Sequence, residues 1–482
     1  MTFDPEKGFH IGTLLSCIFS TIGQSIFSCF LVPTLPSLIR FYFPDIAVSD
    51  IGYYSGYLLS AYFLGQIVGP IFWGWFADQH GRKRAMLIMI LFNILCIFGL
   101  GLSKNYYVSL GIRLIHGLTD GTLGVSKTII AEISNDRNIS LGTSFIFVGL
   151  SVGRLLGPFL CSIFTDATFV NQLLQHLPFL KEIPFSIPFS LMASVYIVAF
   201  FFFLFWSAET LSPEEMETAR RCENEMKREL SGILRKNPLE GYDSHEQLLL
   251  QYNKYSSYSS ILKDRDVLCA VLLYGFHTLA QMAFDSLLPS VLVNERAKGG
   301  FELDSRVIGY IQMASCPLSF SPLLICPLWS KLTPYRKEMI VLNSIIFCLF
   351  VCYPFESLFN ESGIILQFAV ITFLYVAYCG IRAIVFNISI VIVSNVSYKE
   401  FRGTIMGLSQ TIGGLGRFIG PSVISPLYAW SCHHHSALIN HRLSFYVLAF
   451  VILLCFLPVV GLSESSNKGK GTITDTIQHR YK

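Results

Sequence analysis

Two apolar runs, residues 51–76 and 86–102, are each long enough to cross a bilayer, and only a short polar stretch joins them. That stretch reads Gly74-Trp75-Phe76-Ala77-Asp78-Gln79-His80-Gly81-Arg82-Lys83-Arg84: an acid and three bases around a glycine hinge. Runs of this kind recur along the whole chain. A spanning helix needs about 20 apolar residues, and windows of that size give about twelve spans. Their centres fall near Ser20, Leu64, Asn93, Leu118, Gly149, Val198, Gly275, Ser315, Phe347, Ala377, Gly413 and Val451. Of 482 residues only 14% are charged, where a soluble chain carries roughly a quarter, and the mean hydropathy is +0.54. A water-soluble core cannot absorb this much apolar sequence, so the solvent is lipid. Inside lipid every backbone group must pair within its own segment, and the runs are too long and continuous for barrel strands. The expected fold is an all-α membrane protein of twelve transmembrane helices.

Placing the amino terminus inside puts about fourteen Lys and Arg on the inner short loops and tails, against about seven outside. Both termini are therefore expected in the cytoplasm. Residues 1–10 are polar and the first apolar run is of span length, so no cleavable leader is expected. The thirteen cysteines are scattered, most of them in spans, with no CxxC or paired spacing. Neither a disulfide framework nor a metal site is indicated, although Cys352 and Cys432 both fall toward the outer face. His433-His434-His435 reads as an incidental loop triplet. Asn360-Glu361-Ser362 is a glycosylation sequon in a short outer loop.

One long polar segment, 207–265, divides the spans six and six; it is either a solvated linker or, in part, an amphipathic surface helix. The expected domains are a first bundle over 1–206, the linker 207–265, a second bundle over 266–465 and a tail over 466–482. The two bundles echo each other. Gly153-Arg154-Leu155-Leu156-Gly157-Pro158 recurs 263 residues later as Gly416-Arg417-Phe418-Ile419-Gly420-Pro421. Gly142-Thr143 recurs as Gly403-Thr404, and Glu209-Thr210 as Glu464-Ser465. The second copy of the opening loop is degenerate, with Leu332 where Asp78 would stand. Landmarks in the same order mean an internal duplication. Parallel six-span repeats are a transporter architecture, with the binding site near the midplane between the halves.

The pattern G-x-x-A-D-x-x-G-R-K over Gly74, Asp78, Gly81, Arg82 and Lys83 resembles the loop 2–3 signature of the major facilitator superfamily. Arg113-Leu114-Ile115-His116-Gly117 resembles its fourth-span signature, and residues 149–158 its fifth-span antiporter signature, with Arg154 as an unusual insertion. Gly65-Gln66, Gly69-Pro70 and the run from Gly124 to Glu132 resemble the drug:proton antiporter branch, in the flavour of tetracycline-resistance-like and zinc-induced-facilitator-like proteins. The resemblance covers nearly the whole chain. It implies two pseudo-symmetric six-helix bundles, and it implies that Asp78 meets the inner end of the eleventh span near residues 402–404 as a latch. Arg82 and Lys83 would pair with acids on neighbouring inner loops or with headgroups. Gly153, Gly157, Pro158, Gly416, Gly420 and Pro421 read as close-packing and bending positions suited to gating.

An ionisable group inside a span costs a few kcal/mol on insertion scales and faces a cavity or a partner. Arg113, His116, Asp120, Gly124 and Lys127 follow helical steps and share one face of the fourth span. His277, Gln281 and Asp285 do the same in the seventh. Arg113, Asp120 and Asp285 are the candidates for proton coupling, with a packing pair of Arg113 and Asp120 as the alternative. Gln24, Gln66, His116, His277, Gln281, Arg382 and Asn387 are the candidates for lining a substrate cavity. Arg113 and Arg382, one in each half, suit an anionic or zwitterionic solute.

The chain carries no nucleotide loop, nucleophile elbow or metalloprotease helix, so soluble-enzyme chemistry has no support. The expectation is a secondary transporter of a small organic solute, working by alternating access with proton antiport. Facilitated diffusion of a metabolite and a non-transporting sensor on the same fold are the alternatives. The partners expected are a small-molecule substrate, protons and the bilayer. No cofactor, metal or nucleic acid is called for, and a monomer suffices. The substrate, and the choice between plasma membrane and an internal one, are left open.

Overall fold

A computed structural model describes residues 10–133, 139–164, 182–210, 264–320, 334–353, 364–396, 402–434 and 440–463. Among them every regular element is a helix. The first half holds α1 (Ile11–Tyr42), α2 (Ile51–His80), α3 (Arg82–Leu102), α4 (Tyr106–Thr119), α5 (Thr122–Glu132), α6 (Ile139–Phe164) and α7 (Ser186–Phe205). The second holds α8 (Arg265–Val293), α9 (Ser305–Ala314), α10 (Tyr335–Cys352), α11 (Ile364–Val396), α12 (Arg402–Cys432) and α13 (Leu443–Gly461). Most of the expected linker and the sequon at Asn360 lie outside the described residues.

Seven of these helices are long and apolar enough to cross a membrane by themselves, fewer than the twelve spans expected. Among the others, the fourth crossing is divided between α4 and α5, α9 stops at Ala314 before a turn and a 3-10 turn at Pro317–Phe320, and α10 carries Arg336, Lys337 and Glu338 in its first turn. Leu95, Phe201, Phe373 and Leu457 are exposed on the outside of the bundle, where hydrocarbon takes the place of water.

The duplication is visible in the packing. In the first half α1 lies against α6; in the second α8 lies against α12. Each contact is made by glycines of the repeated motif. A Cβ on Gly157 would sit 2.7 Å from Ile26 O and 2.8 Å from Phe30 N of α1. A Cβ on Gly420 would sit 2.8 Å from both Leu279 O and Ala283 N of α8. Gly153 meets Ser25 in the same way, and Gly416 meets Gly275 and Leu279. Backbones this close leave no room for a side chain, which is how helices gain contact where lipid offers no hydrophobic drive. These four glycines therefore work inside each half rather than between halves.

Between the halves the same symmetry places α2 on α12 and α9 on α6. A Cβ on Gly56 would lie 2.5 Å from Pro421 O, and one on Gly309 would lie 2.7 Å from Pro158 O. The hydrogen bonds joining the halves gather at the end carrying Ile51 and Cys432. Ser60 donates to Phe418 O at 3.2 Å, Ser162 donates to Arg306 O at 3.0 Å, and Ser37 and Ser305 lie 2.8 Å apart. His433 Nε2 meets Asp50 Oδ1 at 2.6 Å. At the other end of α2, Gly74 has open space around it. The halves are thus sealed at the Ile51 end.

Gly157→Val and Gly420→Val are expected to cost about 1–3 kcal/mol each through overpacking. Size-exclusion profiles of detergent-purified protein check this: both variants should lose the monodisperse peak, while Gly111→Val, which meets open space, should keep it.

Candidate functional site

A cavity of about 280 Å³ lies between the halves, lined by side chains of α1, α2, α4, α5, α6, α8, α9, α11 and α12 and the turns beside them. Of the sequence candidates it collects Gln24, Gln66, Arg113, Gln281, Asp285 and Arg382, with Pro158 and Pro421 in its wall. His116, His277 and Asn387 are not among its lining residues.

The first-half side of the cavity is organised by Asp120, which is 1% exposed. The sequence places Asp120 on one continuous helical face with Arg113 and Lys127; instead α4 stops at Thr119 and α5 starts at Thr122, with Asp120 extended between them. Asp-Gly favours this break, because a short carboxylate satisfies the backbone and side chain of the next helix start. Asp120 Oδ1 accepts from Thr122 N at 3.3 Å and Thr122 Oγ1 at 2.7 Å. Its Oδ2 accepts from Gln24 Nε2 at 2.8 Å and Tyr62 OH at 2.5 Å. Gln66 Nε2 donates to the same tyrosine oxygen at 2.7 Å. Asp120 is therefore one hydrogen bond behind the cavity wall.

Arg113 does not pair with Asp120 directly. Its guanidinium stacks 4.4 Å over the Tyr62 ring, donates to Leu58 O at 3.5 Å and lies 3.3 Å from His116 Nδ1. Tyr62 thus stands between the two charges, holding the arginine on its face and the carboxylate on its hydroxyl. His116 is packed behind this pair against Phe27 and Tyr62, which keeps it from the cavity.

On the second-half side Arg382 Nη1 of α11 contacts Asp285 Oδ1 of α8 at 2.6 Å, and Arg382 lies over the Tyr378 ring. Both side chains retain about a fifth of their exposure. His277, one turn below Gln281, points away. Its ring nitrogens meet Ser389 Oγ at 3.0 Å and Asn343 Oδ1 at 2.9 Å, so it ties α8, α10 and α11 together.

Tyr62, Arg417 and Gln312 line the cavity without having been singled out for it in the sequence, and Arg154 was noted only as an insertion. For the two arginines a signal existed: they occupy the same place in the repeated G-R-x-x-G-P motif.

The loop of the opening signature is tied to its own half. Gly81, at φ +99°, turns the chain between α2 and α3 in a conformation that favours glycine. The Glu209 carboxylate then caps α3, accepting from Arg82 N at 2.7 Å and Lys83 N at 3.2 Å. The Arg82 side chain pairs with Glu132 of α5 at 3.1 Å, and Lys83 Nζ donates to Ser207 O at 2.8 Å. Of the two bases expected to meet acids on neighbouring loops or headgroups, Arg82 lies against the Glu132 carboxylate and Lys83 donates to backbone carbonyls. The side chains of Asp78 and of residues 402–404 lie outside the described residues, as does the expected latch between them.

A solute-sized cavity that gathers charged and amide side chains between two repeated helical halves is the build of a multi-pass membrane transporter. The chain belongs to the Major Facilitator Superfamily, whose profile matches residues 11–421. Among its relatives, the Probable peptide/nitrate transporter of Arabidopsis thaliana is 25% identical over 83% of this chain and 80% of its own. The Tetracycline resistance protein, class B, of Escherichia coli is 26% identical over 37% of this chain and 40% of its own. The solved D-xylose-proton symporter shares the fold, with a TM-score of 0.65 at 14% identity over 95% of this chain and 98% of that one.

A carboxylate at a helix N-terminus contributes about 0.3–1 kcal/mol, and up to ~2 in partly buried geometry. Glu209→Gln is therefore expected to lower the apparent Tm of purified protein by a few degrees. Glu182→Gln, whose exposed carboxylate pairs with Lys104 at the surface, should leave it unchanged.

Proposed function

We propose that the protein is a secondary active transporter that moves a small organic solute by alternating access, driven by proton antiport. The Arg82 end faces the cytoplasm in this reading, with both termini on that side, because the inner short loops carry the excess of bases. The sealed Ile51 end then faces outward, and the described conformation is the one closed to the outside. The single observation that carries the reading is the Asp285–Arg382 pair at 2.6 Å inside a cavity shared by both halves.

A carboxylate held by one arginine in such a place has two stable states: ionised and paired, or protonated when the arginine is drawn elsewhere. In this reading Asp285 is one carrier, and Asp120, one hydrogen bond from the cavity through Tyr62 and Gln24, is the other. Arg113 lies against the face of that tyrosine, 4.4 Å from the ring. Rocking the halves about the α2–α12 and α6–α9 contacts exposes these groups to each side in turn. Gln24, Gln66 and Gln281 offer neutral hydrogen bonds to the solute.

In proteoliposomes, Asp285→Asn and Asp120→Asn are each expected to abolish the response of solute flux to an imposed pH gradient while leaving slow exchange down the solute gradient. Unchanged pH-driven flux in both variants contradicts the carrier assignment, and wild-type flux that survives an ionophore points to facilitated diffusion. Asp78→Asn is expected to insert normally and to lose most of its flux; normal flux there removes the latch.

A further inference from the structure

The cavity holds more positive charge than its own acids can match. Arg113, Arg154, Arg382 and Arg417 line it, against the single carboxylate of Asp285. Asp120 lies one layer behind. Arg382 is matched by Asp285, and Arg113 is held on the Tyr62 ring beside Asp120. Arg154 and Arg417 are left over. Neither has a carboxylate partner among the described residues; Arg417 Nε is buried without any acceptor, and its Nη2 reaches only Gln410 O at 3.5 Å.

These two arginines are also the two that the duplication relates. Arg154 is carried on α6 and Arg417 on α12, each followed four residues later by a proline that also lines the cavity. The glycines flanking each arginine lock its helix onto α1 or α8 at backbone contact, so both guanidinium groups are presented to the cavity from rigid positions, one in each half. An uncompensated charge within the membrane is costly and is retained where a partner arrives. A guanidinium fork matches a carboxylate or phosphate bidentately.

We propose that Arg154 and Arg417 form a two-sided clamp for the substrate, and that the substrate is a small organic dianion bearing carboxylate or phosphate groups. Two negative charges neutralise the two arginines that the described residues leave unmatched. The volume of about 280 Å³ is at or just below the lower edge of drug-sized pockets, about 300–1,000 Å³, which limits the dianion to the size of a small metabolite. An anion held from both halves also draws them together, so its binding is linked to the relative position of the two bundles. The flux arm of the test rests on the proposed transport function, whereas the binding arm does not.

Thermal-shift titrations of the purified full chain test the clamp with succinate as dicarboxylate and glycerol 3-phosphate as phosphate ester. Acetate, choline and glucose serve as monoanion, cation and neutral probe. At least one dianion should raise the Tm in a saturable way, with choline and glucose inert and acetate weaker. Arg154→Gln and Arg417→Gln should each weaken that dianion's apparent affinity about tenfold or more. Arg154→Lys and Arg417→Lys, which keep the charge without the fork, should fall in between, and size-exclusion profiles show that all four variants are folded. Which dianion protects separates the carboxylate from the phosphate source. Protection by choline or glucose alone, no protection by either dianion, or unchanged affinity in both Gln variants overturns the proposal. A dianion that binds through the clamp but is not carried in proteoliposomes overturns the transport reading and leaves the clamp standing. Proton-driven flux of a neutral or cationic solute, with both dianions inert, does the reverse.

Discussion

The cost of placing a charge in hydrocarbon orders this molecule. At a bilayer centre an arginine or aspartate costs about 2.5–3.5 kcal/mol on insertion scales, so every such group in the spans must find a partner or a polar space. The first half answers with a chain of contacts: Arg113 on the Tyr62 ring, the tyrosine hydroxyl on Asp120, and Asp120 on the start of α5. The second half answers with a direct pair between Asp285 and Arg382. Both answers border one space between the halves. The outside of the bundle is left to Leu95, Phe201, Phe373 and Leu457.

That arrangement depends on backbones approaching closely enough for the helices to hold without a hydrophobic drive. The repeated glycines supply this twice, α6 against α1 and α12 against α8, with nearly equal distances to the neighbouring backbone. The glycines of α2 and α9 do the same across the halves, against Pro421 and Pro158. Two kinds of contact follow from one duplication: those within a half and those between the halves. The loop after α2 belongs to the first kind, since Glu209 and Glu132 bind it to its own half.

Much of this could be read from the amino acids. The length of the apolar runs gave the all-helical membrane fold, and the G-R-x-x-G-P pair gave the duplication and marked close-packing glycines, without saying which helices they meet. Gln24, Gln66, Arg113, Gln281, Asp285 and Arg382, singled out as polar side chains within spans, line one cavity; a polar side chain in a span has few places to go. Helical spacing misled at Asp120, where the aspartate's capping of Thr122 outweighed the continuity of the helix. It misled again at His116 and His277, since a face shared at steps of three or four residues does not say whether a ring meets the cavity or a neighbouring helix. His277 is taken up by Asn343 and Ser389, which are 66 and 112 residues away in the chain. The role of Tyr62 left no trace in the sequence pattern, as an aromatic residue in a span is ordinary until its hydroxyl is seen to touch an acid.

The polar groups of both halves surround one space between them rather than facing lipid. Ser28 is exposed on α1 and lines that space. The direct test is to place a single cysteine there, Ser28→Cys in a cysteine-depleted chain, and to measure labelling in oriented vesicles by a membrane-impermeant thiol reagent. The account predicts labelling from the side of the Arg82 end and little from the side of the Ile51 end. Labelling only by a lipid-soluble reagent, with the aqueous one inert from both sides, contradicts it.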